Sequence, residues 1–152
     1  MKAIDCDRVA VQGGSNYPAP FAARVAGRER QRLGEACGLR SFGVNRTRLP
    51  PGAQSALFHR HTVQEEFVYV LEGEGTLLTE GSETPLRAGM CAGFTPAAGA
   101  HQILNRSAAD LVYLEVGTRE TADEVEYPLD DLKVVTAPDG RRIAAHKDGT
   151  PY

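Results

Sequence analysis

The run Glu66-Phe67-Val68-Tyr69-Val70-Leu71, closed by Glu72-Gly73-Glu74-Gly75, limits the fold more than any other stretch of this chain. It is aromatic and β-branched, apolar on both faces, and ended by a turn signal, so it reads as a β-strand. A strand apolar on both sides belongs in a two-layer β structure, with one face in the core and the other covered. The rest of the chain agrees. It has 16 glycines and 9 prolines in 152 residues. That density of turns excludes long helices and favours short strands at close spacing, as in a sandwich or barrel.

The length suits one structural domain, and the pattern divides it into three parts. Residues 1–37 form an N-terminal arm. It holds the turn-rich pieces Gly13-Gly14-Ser15-Asn16 and Tyr17-Pro18-Ala19-Pro20-Phe21, and a short helix within 25–36, where Val25, Leu33 and Ala36 fall on one side. Residues 38–117 form the β body. Its strands are a first region holding Leu39, Phe42, Val44 and Leu49, then Ser55–His61, the central run, Gly75–Thr79, Met90–Phe94, His101–Asn105 and Leu111–Val116. Turns fall at Pro50-Pro51-Gly52 and Glu80-Gly81-Ser82-Glu83. Residues 118–152 form a polar C-terminal extension with turns at Tyr127-Pro128 and Pro138-Asp139-Gly140. Leu129, Leu132, Val134 and Val135 supply an edge strand or a pad, and His146 to Tyr152 is a surface tail.

Charge excludes some partners. Seventeen basic residues face 20 acidic ones, for a net charge of −3, so no basic face for nucleic acid is expected. Arg24, Arg28, Arg30 and Arg32 are the one dense basic cluster, and they read as a solvated loop or helix face. The longest stretch free of charge, Ala88 to Asn105, contains Gly89, Gly93, Pro96 and Gly99 and does not read as a membrane span. Met1 to Arg8 lacks the apolar core of a secretory signal. Cys6, Cys37 and Cys91 form no CxxC pair. Free thiols in a reducing cytoplasm are the simplest account, with Cys91 a small buried core residue.

The chemistry concentrates in His59-Arg60-His61, Glu65-Glu66 and His101. Residues two apart on a strand face the same side, so His59 and His61 project together. A turn at Thr62-Val63-Gln64 brings Glu66 back beside them, and His101 arrives from a neighbouring strand. Three imidazoles and a carboxylate suit one divalent transition metal among Zn, Fe, Mn, Ni, Co and Cu. Four protein ligands on a six-coordinate ion leave open positions, as a catalytic or ligand-binding metal requires.

The spacing Gly52-(six residues)-His59-Arg60-His61-(four residues)-Glu66-(six residues)-Gly73 resembles the first motif of the cupin superfamily, G-x5-H-x-H-x3–4-E-x6-G. Pro96-Ala97-Ala98-Gly99-Ala100-His101-Gln102-Ile103-Leu104-Asn105 resembles the second, G-x5-P-x-G-x2-H-x3-N. There are departures. One extra residue stands before His59 and another between Gly89 and Pro96, Gly99 is one place late, and Met90 stands where many members have an acid. Tyr17-Pro18, Leu33-Gly34, Phe42-Gly43-Val44-Asn45, Gly117-Thr118-Arg119 and His146-Lys147-Asp148-Gly149 resemble stand-alone bacterial cupins, some labelled sugar-phosphate-isomerase-like.

The resemblance implies an all-β double-stranded β-helix, a jelly-roll barrel, with His59, His61, Glu66 and His101 as metal ligands. The motif also permits Glu65 as the acidic ligand; Glu66 is preferred because it alone leaves six residues to Gly73. Glu65, Tyr69 and Gln102 are then the candidate catalytic groups around the metal, and Phe94 and Tyr113 the further candidates for the pocket wall. Arg46 and Arg48 share a strand face, which either grips an anionic substrate or faces solvent. His146 is an exposed tail residue. The expected activity is a metal-dependent isomerase, epimerase or lyase on a sugar-like or polyol acid. The alternatives are an Fe-, Ni- or Mn-dependent dioxygenase and a non-catalytic module that binds or senses a small ligand. Cupins of this kind usually pair, which implies a homodimer with the arm near the interface.

Overall fold

The computed structural model describes residues 3–19, 21–137 and 139–152. The first two residues, and Pro20 and Pro138 of the expected turns, lie outside the described residues. In chain order the strands are β1 (Val11–Gly13), β2 (Glu29–Arg32), β3 (Phe42–Leu49), β4 (Arg60–His61), β5 (Glu66–Glu72), β6 (Glu74–Thr79), β7 (Ser82–Arg87), β8 (Cys91–Phe94), β9 (His101–Leu104), β10 (Leu111–Thr118), β11 (Glu124–Tyr127), β12 (Leu132–Thr136) and β13 (Arg142–Ala145). A single turn of helix, α1 (Leu33–Ala36), follows β2. No helix among the described residues is long and apolar enough to cross a membrane.

The strands pair antiparallel in two layers. One is a six-stranded sheet of order β1-β2-β3-β10-β5-β8. The other consists of β13-β12-β11-β4 and β7-β6-β9, stitched together by the antiparallel pairs His59↔His101 and Gln54↔Leu104. The chain is therefore all-β with the double-stranded β-helix architecture. Leu49, Val68, Val70, Leu77, Leu86, Phe94, Ile103, Leu111 and Tyr113 fill the space between the layers. A second apolar cluster, with Phe21, Val25, Leu57, Val125, Tyr127 and Leu132, lies under β11 and β12.

Several local expectations change. Ser55–His61 is not one strand: five steps from Gln54 to His59 face three from Leu104 to His101, so Ser55 to Phe58 bulge out of the ladder. The helix expected over 25–36 is confined to α1, because Glu29–Arg32 pairs with the free edge of β3. Ser82–Arg87 is a strand that sequence reading missed. Pro85 hides it, and β7 accepts proline because it is an edge strand. The C-terminal extension forms β11, β12 and β13, with β12 in the sheet interior. Its end is not a loose tail: Pro151 pairs with Ala145, and the Tyr152 hydroxyl donates to the Asp131 carbonyl at 2.6 Å. Cys91 is exposed, like Cys6 and Cys37, because it falls on the outward side of β8. On β5, Val68 and Val70 point inward, while Phe67, Tyr69 and Leu71 are 42%, 40% and 37% exposed. The outer apolar face of this strand is thus not covered by its own chain.

Gly73 closes the β5–β6 turn at φ +78°, and a Cβ there would stand 2.0 Å from the Asp110 carbonyl oxygen. Gly52 has φ +79° but open space around it. Gly52→Ala should cost about 1–2 kcal/mol of backbone strain. Gly73→Ala should cost clearly more, by about 1–3 kcal/mol of overpacking. Equal losses of the two variants in urea denaturation would refute this account.

Candidate metal centre

Backbone pairing sets the centre. The His59 amide donates to the His101 carbonyl at 3.1 Å, and the His101 amide returns the bond at 2.8 Å. His61 sits two residues on, paired with Val125 of β11. The following turn is tied down by Asp123, whose Oδ1 accepts the amides of Val63 and Gln64 at 3.0 and 3.1 Å. That turn delivers Glu66, the first residue of β5, back to the histidines. Its Oε2 lies 3.5, 3.6 and 3.1 Å from the Nε2 atoms of His59, His61 and His101.

The outward nitrogens define the tautomers. His59 Nδ1 donates to the Leu57 carbonyl at 2.9 Å, and His61 Nδ1 to Asp123 Oδ2 at 2.6 Å. Each ring therefore turns Nε2 towards the centre, the nitrogen through which it would bind a metal once any proton there is given up. His101 is held instead by stacking, its ring 3.6 Å from that of Phe94 and tilted by only 2°. His59 lies beside Tyr127 at 6.0 Å. The centre sits where the two apolar clusters meet.

Protonation states follow. Burial alone would raise the Glu66 pKa, but hydrogen bonds from His101 and His59 and the nearby imidazoles outweigh it and hold the carboxyl well below its usual range. Burial keeps His101 below the ordinary imidazole value, against the pull of Glu66. Burial likewise works against ionised Asp123, and the hydrogen bonds from His61, Gln64 and Val63 overcome it, so its pKa is lowered. An ionised carboxylate faced by imidazole nitrogens is a donor set a divalent ion can take, with the Nε2 protons released as it binds. His59, His61 and Glu66, with ligand atoms within 4.8 Å of one another, form a group that could hold such an ion.

A cavity of about 40 Å³ opens beside this cluster, walled by Arg30, Ser55, Phe94, Ile103, Tyr113 and Glu115. Phe94 and Tyr113 thus stand where the pocket wall was expected. The three candidate catalytic groups do not. Glu65 is exposed, and its amide donates to Thr118 Oγ1. Tyr69 lies on the outer face of the sheet, because alternation along β5 turns it away from Glu66 and Val68. Gln102 alternates away from His101, and its Nε2 donates to the Ala56 carbonyl at 2.7 Å. Arg46 and Arg48 face outward, paired with Asp7 and with Glu29 and Asp110. His146 is half-buried, bonded to Asp131 and stacked on Tyr152.

Sequence reading missed Asp123, Arg30 and Glu115. Asp123 sits in a polar segment with no motif around it. The basic cluster that looked solvated contains Arg28, which is 7% exposed and donates to the Ser55 carbonyl, and the cavity-lining Arg30.

The cupin domain model matches residues 45–117. A solved cupin-superfamily structure from Silicibacter pomeroyi, described as a sugar phosphate isomerase, is 39% identical and superposes over 99% of this chain and 96% of its own with a TM-score of 0.93. The chain belongs to the cupin superfamily. A solved structure from Acidithiobacillus ferrooxidans, described as a candidate sugar phosphate isomerase, is 34% identical and covers 82% of this chain and 80% of its own, with a TM-score of 0.75. The oxalate-binding protein of Thermotoga maritima is 39% identical over 72 residues, which are 47% of this chain. The match spans 57% of that protein's length.

Asp123→Asn tests how this cupin orients His61. The amide keeps one oxygen for the turn amides but sets an NH2 against His61 Nδ1. The loss should be about 1–3 kcal/mol at neutral pH, the cost of a broken buried charged hydrogen bond. Because the folded-state pKa of Asp123 is lowered, its contribution is complete above the ordinary carboxylate pKa and fades as the pH drops towards the folded value. The variant and the parent should therefore converge in acid. A gap in stability that stays constant from pH 7 into acid, followed by urea denaturation, would overturn the reading.

Proposed function

We propose that this cupin is a divalent-metal protein acting on a small, oxygen-rich acid, with isomerase, epimerase or lyase chemistry on a sugar-like or polyol acid. The convergence of the Nε2 atoms of His59, His61 and His101 on Glu66 Oε2, beside a cavity, carries the reading. His59, His61, Glu66 and His101 would hold one ion of Zn, Fe, Mn, Ni, Co or Cu. Such an ion supplies Lewis-acid polarisation of a carbonyl or of neighbouring oxygens. The chain's own groups do the rest: Leu57 and Asp123 hold the His59 and His61 rings in register, Phe94 fixes the plane of His101, and Phe94 and Ile103 give the cavity an apolar side.

The descriptions of the Silicibacter and Acidithiobacillus relatives support the isomerase reading. The Thermotoga relative is described as oxalate-binding, which supports binding of a small acid; a module that binds such an acid without turnover is the second reading. An Fe, Ni or Mn ion would bring dioxygenase chemistry into reach. Protein purified without chelator should carry close to one divalent ion per chain by elemental analysis. His61→Ala and His101→Ala should each lose most of it, and unchanged occupancy in both would sink the assignment. Turnover in a metal-loaded screen of aldose, ketose and hydroxy-acid substrates separates the enzyme from the binder. Three exposed free thiols fit a reducing compartment such as the cytoplasm.

The protein is also proposed to be a homodimer. Phe67 and Tyr69 on β5 stand opposite Val116 and Leu114 on β10, and together with Leu71 they make an apolar outer face on the six-stranded sheet. A twin would cover it through a two-fold contact. Light scattering at micromolar concentration should give twice the chain mass, and Tyr69→Lys should shift it to the monomer. A wild-type monomer would refute the dimer.

A further inference from the structure

Four buried polar atoms gather around β2, β3 and β10 without a hydrogen-bond partner among the described residues: Arg28 Nε, Arg30 Nε, Thr47 Oγ1 and the Tyr113 hydroxyl. The register explains the gathering. Arg30 stands opposite Thr47, and Thr47 opposite Tyr113, all on the inward side of the sheet. Tyr113 is 1% exposed and Thr47 0%, so bulk water does not serve them. Arg30 and Tyr113 line the same cavity as Glu66 and His101.

Buried polar groups are almost always partnered, and a cluster of exceptions needs an occupant. The two guanidinium Nε atoms can only donate and the two hydroxyls can donate as well, so an accepting occupant serves all four. The nearby carboxylate is already engaged: Glu115 Oε1 lies 3.2 Å from Arg30 Nη2 and accepts from Asn45 Nδ2 at 3.2 Å. Charge points the same way. The guanidinium groups of Arg28 and Arg30 balance Glu66 and Glu115, and a divalent ion at the histidine cluster leaves the site positive even with Asp123 counted. A positive, donor-rich cavity selects an oxyanion. Its volume of about 40 Å³ favours a small one over a sugar phosphate.

We propose that this cupin binds a small carboxylate, with the Arg30 guanidinium and the Tyr113 hydroxyl holding its acid end and its other oxygens facing the histidine cluster. This deepens the second reading, binding of a small acid, and rests on the proposed function for the metal only. The N-terminal arm then contributes to specificity, since β2 supplies the arginine.

The test uses full-length, metal-loaded protein, titrated calorimetrically with oxalate, with its neutral analogue oxamide and with inorganic phosphate, while the metal content of each sample is measured. Oxalate should bind at least tenfold more tightly than oxamide or phosphate. Arg30→Gln and Tyr113→Phe should each weaken oxalate at least tenfold with the metal retained. Tyr113→Phe removes a hydroxyl that has no partner, so the ligand-free melting temperature should not fall, which separates lost binding from lost folding. Arg30→Lys, which keeps the charge and loses the planar fork, should also bind more weakly than the parent. Oxalate binding unchanged in Arg30→Gln and Tyr113→Phe overturns the proposal. So does the absence of oxalate binding to protein with full metal, or phosphate binding in place of oxalate. Protein that takes up no metal yet binds oxalate through Arg30 and Tyr113 would remove the metal reading and uphold this one.

Discussion

The antiparallel pair between His59 and His101 is the contact on which the rest depends. Its two backbone hydrogen bonds join β4 to β9, and with them the two parts of the second layer. The same residues carry the imidazoles of the candidate centre. Fold and site therefore share one element: the ladder that closes the structure also brings together histidines 42 positions apart in sequence. Loop closure over such a span costs entropy that only packing on both sides recovers. Both rings have that packing, Phe94 against His101 and Tyr127 beside His59.

The inner face of the six-stranded sheet is divided. At one end Leu49, Val68, Val70 and Leu111 form ordinary apolar core. At the other, Glu66, Glu115, Arg30 and Tyr113 turn the same face polar. An apolar replacement of that polar end would be easier to bury, because unpartnered donors and ionised groups are costly away from water. Stability and the requirements of a ligand site pull in opposite directions on one sheet, and the apolar end offsets the polar one.

Residues outside the motif-bearing strands complete the site. Asp123, just ahead of β11, holds both the His61 ring and the turn that returns Glu66. Arg28 and Arg30 come from the arm, where β2 adds to the edge of β3. Chain beyond the barrel strands is thus built into the centre rather than laid over it.

The all-β class was legible in the sequence because β-branched and aromatic runs and glycine and proline punctuation are local signals. The metal-ligand candidates were legible because His59, His61 and Glu66 lie within one turn of chain, and because the motif spacing ties His101 to Pro96. The preference for Glu66 over Glu65 follows from motif spacing, since only Glu66 leaves six residues to Gly73. The strand β7 was hidden by Pro85, whose tolerance depends on being at a sheet edge, a property of the assembled sheet. Tyr69 and Gln102 illustrate the other limit: alternation says that each faces away from its neighbour, but not which side holds the cavity. Arg28 and Arg30 looked solvated because burial of a charge is decided by distant partners, here Ser55 and Glu115, that no local pattern announces. Local chemistry and spacing determined what this chain is made of and which residues suit a metal. Only the tertiary structure decided what surrounds them, because pairing across long sequence separations sets burial, charge and cavity together.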